Sequence, residues 1–329
     1  MRLSRYALLL AVAVLTAGAW SGECWAQAKL PRVGILTGDV DITSDHARQW
    51  WEPFQRTLAD RGWIDGKNVS FEFRKSSGDP PQFAAAAAEI VRLKVDVIWA
   101  TNAPATRAAF AATRTIPIVG WDLTTDPVEA GYIESYARPG GNLTGVFLDA
   151  PELAGKWVEL LKTTVPGLST VVVLWDPSPG VAHLHAVESA AVSFGVRPQV
   201  IEVRKPEDID RAFASIRGRP RALIVLPSPM LYFQSERLAK LALKNQLLAT
   251  SIFRLFAEVG GTLAYGPDIV LVSERGAVLV AKILGGAKPA ELPVERPTKV
   301  QLVVNLKSAK ALGITIPQSI LLRADEVIR

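Results

Sequence analysis

Val95-Asp96-Val97-Ile98-Trp99-Ala100-Thr101-Asn102-Ala103-Pro104-Ala105-Thr106 decides the fold. Its opening residues are almost continuously apolar, the pattern of a strand covered on both faces rather than of one with a solvent side. The polar pair Thr101-Asn102 then stands where a helix must begin. Pro104 suits the first helical turn, because the N–H it lacks would have no intrahelical partner there. Strand, polar corner and helix in close succession make one βα unit of a parallel sheet.

The unit recurs on both sides. Strands are expected at 32–37, 68–75, 95–101, 116–121 and 144–149, with helices over 45–61, 79–94 and 103–113 between them. Gly62 marks a helix end, Asp65-Gly66 a turn, and Asp79 a cap before Pro80-Pro81. After the break Arg138-Pro139-Gly140-Gly141-Asn142 a second series begins, with strands at 170–175, 198–203, 222–226 and 247–253 and helices over 152–164, 181–194, 206–217 and 231–245. A late strand at 262–265, a helix over 268–284 and a last strand at 299–304 follow a second series that is already complete, which suggests that the chain crosses back. The expected class is α/β: two doubly wound Rossmann-like lobes joined by a multi-strand hinge. Lobe 1 would comprise residues 29–143 plus about 264–292, and lobe 2 residues 144–263 plus about 293–329. A chain of 329 residues exceeds one comfortable core, so two lobes suit its length as well.

The first 28 residues read differently. Arg2 and Arg5 precede an apolar run from Ala7 to Ala19, and Ala26-Gln27-Ala28 supplies small residues for cleavage. This is the order of a secretory signal peptide, and the run makes a helix of roughly 20 Å, short of the ~30 Å hydrocarbon core. The expected destination is the periplasm. Cys24 is the only cysteine; Glu23 before it argues against lipid attachment, and cleavage near Ala26 or Ala28 would leave no thiol. The net charge of +5 is spread along the chain without a basic block, so nucleic acid is not an expected partner.

The motifs of several enzyme classes are missing from the sequence. Thr37-Gly38-Asp39 after the first strand carries no dinucleotide fingerprint, no phosphate-binding loop occurs, and no Gly-x-Ser-x-Gly elbow is present. His46 stands alone, and His183 and His185, two apart at a helix start, face different ways and suit no shared metal. No catalytic residue, metal or cofactor is therefore expected.

Ile116-Pro117-Ile118-Val119, Thr125-Asp126-Pro127-Val128-Glu129-Ala130-Gly131 and Arg138-Pro139-Gly140-Gly141-Asn142-Leu143-Thr144-Gly145 form one set of ordered motifs. A second set is Gly260-Gly261-Thr262-Leu263-Ala264-Tyr265-Gly266, Leu292-Pro293-Val294-Glu295, Val304-Asn305-Leu306-Lys307 and Arg323-Ala324-Asp325-Glu326-Val327-Ile328. Together they resemble the ABC transporter substrate-binding proteins of the tryptophan/tyrosine-type family, from about Pro31 to the end. The resemblance implies a type I periplasmic binding protein: two lobes, three crossing strands and a ligand clamped between. It implies an amino acid, aromatic acid or similar carboxylate as ligand and permease subunits in the inner membrane as partners. A monomer is expected. A sensing receptor or effector domain without a transport role is the alternative. Gly120-Trp121-Asp122-Leu123 and the proline-rich Asp176-Pro177-Ser178-Pro179-Gly180 depart from the family pattern near the expected cleft.

Independently of family, ligands of open parallel sheets bind outside the carboxyl ends of the strands. In lobe 1 the candidates are Thr37, Asp39, Ser76, Ser77, Thr101, Asn102, Thr106, Trp121, Asp122 and Asp126; in lobe 2 they are Trp175, Asp176, Ser228, Tyr232, Phe253 and Arg254. The Thr101–Thr106 corner suits a carboxylate through free helix N–H groups, and equally suits plain helix capping. Arg254 could hold a carboxylate and Asp122 an ammonium, or each could be a structural ion-pair partner. Trp121 and Trp175 could stack on a flat ligand or be buried.

Overall fold

The computed structural model describes residues 30–76, 80–148 and 151–329. The N-terminal segment with Cys24, and the expected roles of Ser77, Asp79 and Asp149, lie outside the described residues.

The first sheet has five parallel strands in the order β2-β1-β3-β4-β5. They are β1 (Arg32–Gly38), β2 (Ser70–Ser76), β3 (Val97–Ala100), β4 (Ile118–Asp122) and β5 (Leu143–Phe147). Helices cover both faces, as the apolar strands require. On one side α1 (Asp45–Asp60) turns Ala47, Trp50, Trp51, Phe54 and Leu58 inward at helical spacing, and the Ser44 hydroxyl caps it by accepting from the Ala47 N–H at 3.3 Å. The ring of Phe54 stacks on Trp99 with centroids 3.8 Å apart. The other side carries α2 (Pro80–Arg92) and α3 (Ala103–Ala112), which bury Ile90 and Ala109 against Leu36, Ile98 and Phe147. Where β4 meets β5, Gly145 faces Gly120; a Cβ on Gly145 would lie 2.0 Å from the Gly120 carbonyl oxygen, so only glycine lets the two strands close.

The second sheet has seven strands in the order β12-β11-β10-β9-β8-β6-β7. They are β6 (Thr170–Trp175), β7 (Arg197–Glu202), β8 (Ala222–Val225), β9 (Leu248–Ser251), β10 (Leu263–Pro267), β11 (Val300–Asn305) and β12 (Glu326–Ile328). All neighbours run parallel except β10 and β11. Its helices are α4 (Pro151–Thr164), α5 (Ala182–Ser193), α6 (Ile209–Ala214), α7 (Pro229–Phe233), α8 (Ser235–Lys244) and α9 (Arg254–Glu258). Helix α10 (Ile269–Leu284) returns to pack on α1, its Ser273 hydroxyl donating to the Trp50 carbonyl. The short helices α11 (Leu306–Ala311) and α12 (Gln318–Leu321) lead into β12.

The expected α/β class with two doubly wound halves is the observed one. Differences lie at element ends. The helix expected over 231–245 begins earlier, because Ser228 caps Leu231, and is broken at Gln234 into α7 and α8. That expected over 206–217 shrinks to a 3₁₀ turn and α6. Strand β12 and helices α9, α11 and α12 were not anticipated, being shorter than the windows that periodicity needs.

The sheet changes also fall three or more residues later than the expected boundaries at 143/144, 263/264 and 292/293. β5 pairs along its whole length with β4, Ile118 to Leu143 through Asp122 to Phe147. β10 pairs with β9 and β11 and so belongs to the second sheet. The Glu295 N–H donates to Gly145 O and its carbonyl accepts from the Phe147 N–H, both at 2.9 Å, which keeps that segment on the first sheet. The chain therefore crosses after Phe147, after Pro267 and between Glu295 and Val300. Among the described residues no helix is long and apolar enough to cross a membrane.

Candidate functional site: an aromatic cleft between the sheets

The carboxyl ends of β1, β3 and β4 face those of β8 and β9 across a cleft that is partly open to solvent. Lobe 1 contributes Thr37 and Gly38 from the end of β1, Thr101 to Pro104 at the start of α3, Trp121 near the end of β4, and Leu123 and Thr124 after it. Trp50 of α1 and Ile269 of α10 complete that wall. Lobe 2 contributes Pro179, Pro227, Ser228, Pro229, Tyr232, Phe233 and Phe253.

Three peptide corners shape the polar part of the wall. The Asn102 side-chain oxygen accepts from the Ala105 N–H at 2.9 Å, and the Ser228 hydroxyl accepts from Leu231 N–H at 3.0 Å, so each caps the helix it begins. Asp122 Oδ1 accepts from both the N–H and the hydroxyl of Thr124, at 2.8 and 2.9 Å, and so turns Thr124 into the cleft. Asp122 itself lies behind the wall, fully buried, and its Oδ2 makes no hydrogen bond. Burial pushes its carboxyl above the ordinary value, with Thr125, Thr124 and Arg107 opposing.

Of the residues expected at the site, Thr37, Thr101, Asn102, Trp121, Ser228, Tyr232 and Phe253 converge on this cleft. The others do not line it. Asp39 is exposed, and Ser76 is buried at the end of β2. Thr106 is buried within α3 with its hydroxyl unpartnered. Asp126 caps the next turn, accepting from the Val128 and Glu129 N–H groups at 2.7 and 3.1 Å. Trp175 donates to the Gly180 carbonyl at 3.2 Å, and Asp176 accepts from the Ser178 N–H and hydroxyl at 2.9 and 2.8 Å. Burial also raises the Asp176 carboxyl. Arg254 is committed to Glu258 and Glu326, each at 2.6 Å, and is absent from the wall.

Trp50 lines the cleft although it is not among the residues expected there from the sequence. It obeys the inward period of α1 and packs on Trp99 at 5.6 Å, yet one edge also forms cleft wall. Pro179 comes from the proline-rich loop already marked as a departure from pattern. His183 is buried, stacked on Trp157 at 6.0 Å, and burial alone drives its pKa down to about 3, which keeps it neutral.

The lobes touch on both flanks of the cleft. The Tyr232 hydroxyl donates to His46 O at 3.2 Å, Gln49 donates to Glu258 at 3.1 Å, and Arg107 donates to Pro179 O at 2.9 Å. With the lobes in contact on both flanks, the site is a partly open, largely aromatic slot with neutral polar corners, suited to a flat ring that carries a polar end.

The family model described as ABC transporter substrate binding protein matches residues 40–328. A tyrosine-binding protein from Clostridioides difficile (strain R20291) is 26% identical over 265 residues, 79% of this chain and 75% of that one. A conserved domain protein from Vibrio cholerae O1 biovar El Tor superposes with a TM-score of 0.83 at 26% identity, covering 91% of this chain and all of that one. The ABC domain from Streptococcus pneumoniae in complex with L-Trp gives 0.81 at 24% identity, again covering 91% of this chain and 100% of that one.

Proposed function

Because the chain belongs to the ABC transporter substrate binding protein family, we propose that it is the solute-binding component of an importer, capturing a small aromatic amino acid or similar aromatic carboxylate between its lobes. Proteins of this family bind their substrates without transforming them, and the chain is not an enzyme. The periplasm is its proposed location and inner-membrane permease subunits its proposed partners, with the protein acting as a monomer. The motifs from Ile116 to Gly145 and from Gly260 to Ile328 carried the family correctly.

One observation carries the ligand class: Trp50 and Trp121 of one lobe face Tyr232, Phe233 and Phe253 of the other across a single slot. A flat ring would lose its hydration between them, and aromatic pairs add roughly 0.5–1.5 kcal/mol beyond burial. The ligand carboxylate would lie at Thr101 and Asn102, where the ten-residue helix α3 begins and its first N–H groups favour negative charge. The tyrosine and L-Trp named for the two relatives are ligands of this shape.

The mechanism is closure. Each wall alone meets half of a ligand, so binding favours the state in which both meet it, in proportion to the difference in contact. Micromolar capture needs about 8 kcal/mol, within reach of one buried ring and a few charge-assisted hydrogen bonds. The test is a thermal shift and calorimetric screen of the exported protein against L-tryptophan, L-tyrosine and ring-bearing acids. Saturable stabilisation of about 2.7 kcal/mol at a hundredfold excess over Kd supports the reading. Absence of any response to aromatic compounds, or conversion of one to product, would overturn it.

A further inference from the structure

We infer that Arg107 is a closure latch: a positioning residue on lobe 1 that holds the 176–180 loop of lobe 2 over the ligand by gripping two successive backbone carbonyls. The inference rests on the closure reading above and adds to it the group that sets how long the cleft stays shut.

Arg107 is exposed on α3, the helix whose start forms the polar corner of the cleft. Its guanidinium reaches across to lobe 2, one nitrogen donating to Pro179 O at 2.9 Å and another more weakly to Ser178 O at 3.4 Å. A planar fork with fixed donors matches two neighbouring carbonyls in a way that a single ammonium cannot. On its own lobe Arg107 is close enough to the Tyr132 hydroxyl and the buried Asp122 for its charge to act on both.

The receiving loop is rigid on its own account. Asp176 grips the N–H and hydroxyl of Ser178, Trp175 donates to Gly180 O, and the Gly180 N–H returns to Pro177 O at 3.0 Å. Pro177 and Pro179 restrict the backbone further. Gly180 has φ of +118°, a conformation that side-chain-bearing residues rarely adopt. The two carbonyls are therefore presented to the latch without further ordering, and little conformational entropy is lost when it engages. Trp175 and Asp176, which sequence position suggested as ligand contacts, act here as the frame of the latch's receiver. Pro179 joins the two roles, since its ring lines the cleft while its carbonyl takes the stronger bond.

Contacts that exist only in the closed state slow opening and leave encounter unchanged. The test compares the wild-type chain with Arg107→Ala and Arg107→Lys, using L-tryptophan as probe and stopped-flow tryptophan fluorescence for rates. Arg107→Ala should raise the dissociation rate about tenfold, with the association rate no slower and the ligand-free melting temperature little changed; Arg107→Lys should fall between. An unchanged dissociation rate, or a loss shared with ligand-free stability, would overturn the latch. A second arm needs no ligand: X-ray scattering of the ligand-free chains should show a larger radius of gyration for Arg107→Ala. Identical profiles count against the inference. If L-tryptophan does not bind the wild type, the ligand reading fails, and the latch stands or falls on the scattering arm.

Discussion

Tyr232 of lobe 2 donates its hydroxyl to the backbone carbonyl of His46 in lobe 1 at 3.2 Å, with the two rings edge to face at 6.1 Å and 89°. Burial raises the phenol far above its ordinary pKa, so the hydroxyl remains a donor at every pH the protein survives. Phe253 holds the same ring from the side at 4.7 Å. Tyr232→Phe therefore removes one inter-lobe hydrogen bond and leaves the cleft wall in place. Calorimetry with L-tryptophan should show Kd weakened about two- to tenfold, the worth of one modest hydrogen bond, with ligand-free melting little changed.

Asp122 gives a pH prediction. Its folded carboxyl is raised by burial, so as pH climbs from the ordinary carboxylate range the unfolded chain loses this proton before the folded one does. Asp122 consequently contributes a stability that is full at low pH and is lost as pH rises through the window up to its folded value. Asp122→Asn keeps the oxygen that serves Thr124 and turns an amide toward the Thr125 hydroxyl. The variant should melt about 2–4 °C higher at pH 7, for ~1 kcal/mol, and converge on wild type near pH 4. Because the carboxylate lies behind the wall, L-tryptophan affinity should stay within about threefold. A parallel pair of melting curves across pH would show that the charge is not opposed by burial.

These cases show what the residues themselves disclose. The βα alternation was legible because buried parallel strands such as Val97–Ala100, and β4 up to Trp121, read as apolar runs that end at polar corners. The crossing points were less so: whether Leu263–Pro267 belongs to one sheet or the other depends on its antiparallel partner Val300–Asn305, which lies beyond a whole intervening helix. At the cleft, residues at or just beyond strand ends were expected, and Thr37, Thr101 and Ser228 do line its wall. Trp175 and Asp176, expected on the same ground, are not on the wall, because the loop turns back and bonds to itself. Trp50 was not among the expected cleft residues because a helical period registers only which side is inward, and here the inward side also borders the cleft.

Arg254 shows the same limit from the opposite side. It follows β9, as a ligand-binding guanidinium would, but its second carboxylate, Glu326, comes from the terminal strand β12. Both ion pairs are partly exposed, so each is worth at most about 1 kcal/mol. Arg254→Ala should leave L-tryptophan affinity unchanged and lower stability by no more than about 2 kcal/mol. Calorimetry beside a denaturant melt checks both, and a large loss of affinity would return Arg254 to the site.

Gly38 tests closure from the wall itself. It ends β1 opposite α7, where a Cβ would stand 3.0 Å from the Phe233 ring and 3.4 Å from Pro229, both on the other lobe. Its φ lies outside the left-handed region, so a side chain there adds no backbone strain. Valine favours a strand and would project into the seam, where overpacking costs typically 1–3 kcal/mol. That cost falls on the closed state alone, because an open cleft separates Gly38 from Phe233. Gly38→Val should therefore weaken L-tryptophan binding about five- to hundredfold while ligand-free melting holds, and Gly38→Ala should fall between. Scattering should find the valine variant more open at saturating ligand than wild type. If instead the variant binds as wild type does, Phe233 yields without cost and the lobes do not meet at this seam in solution.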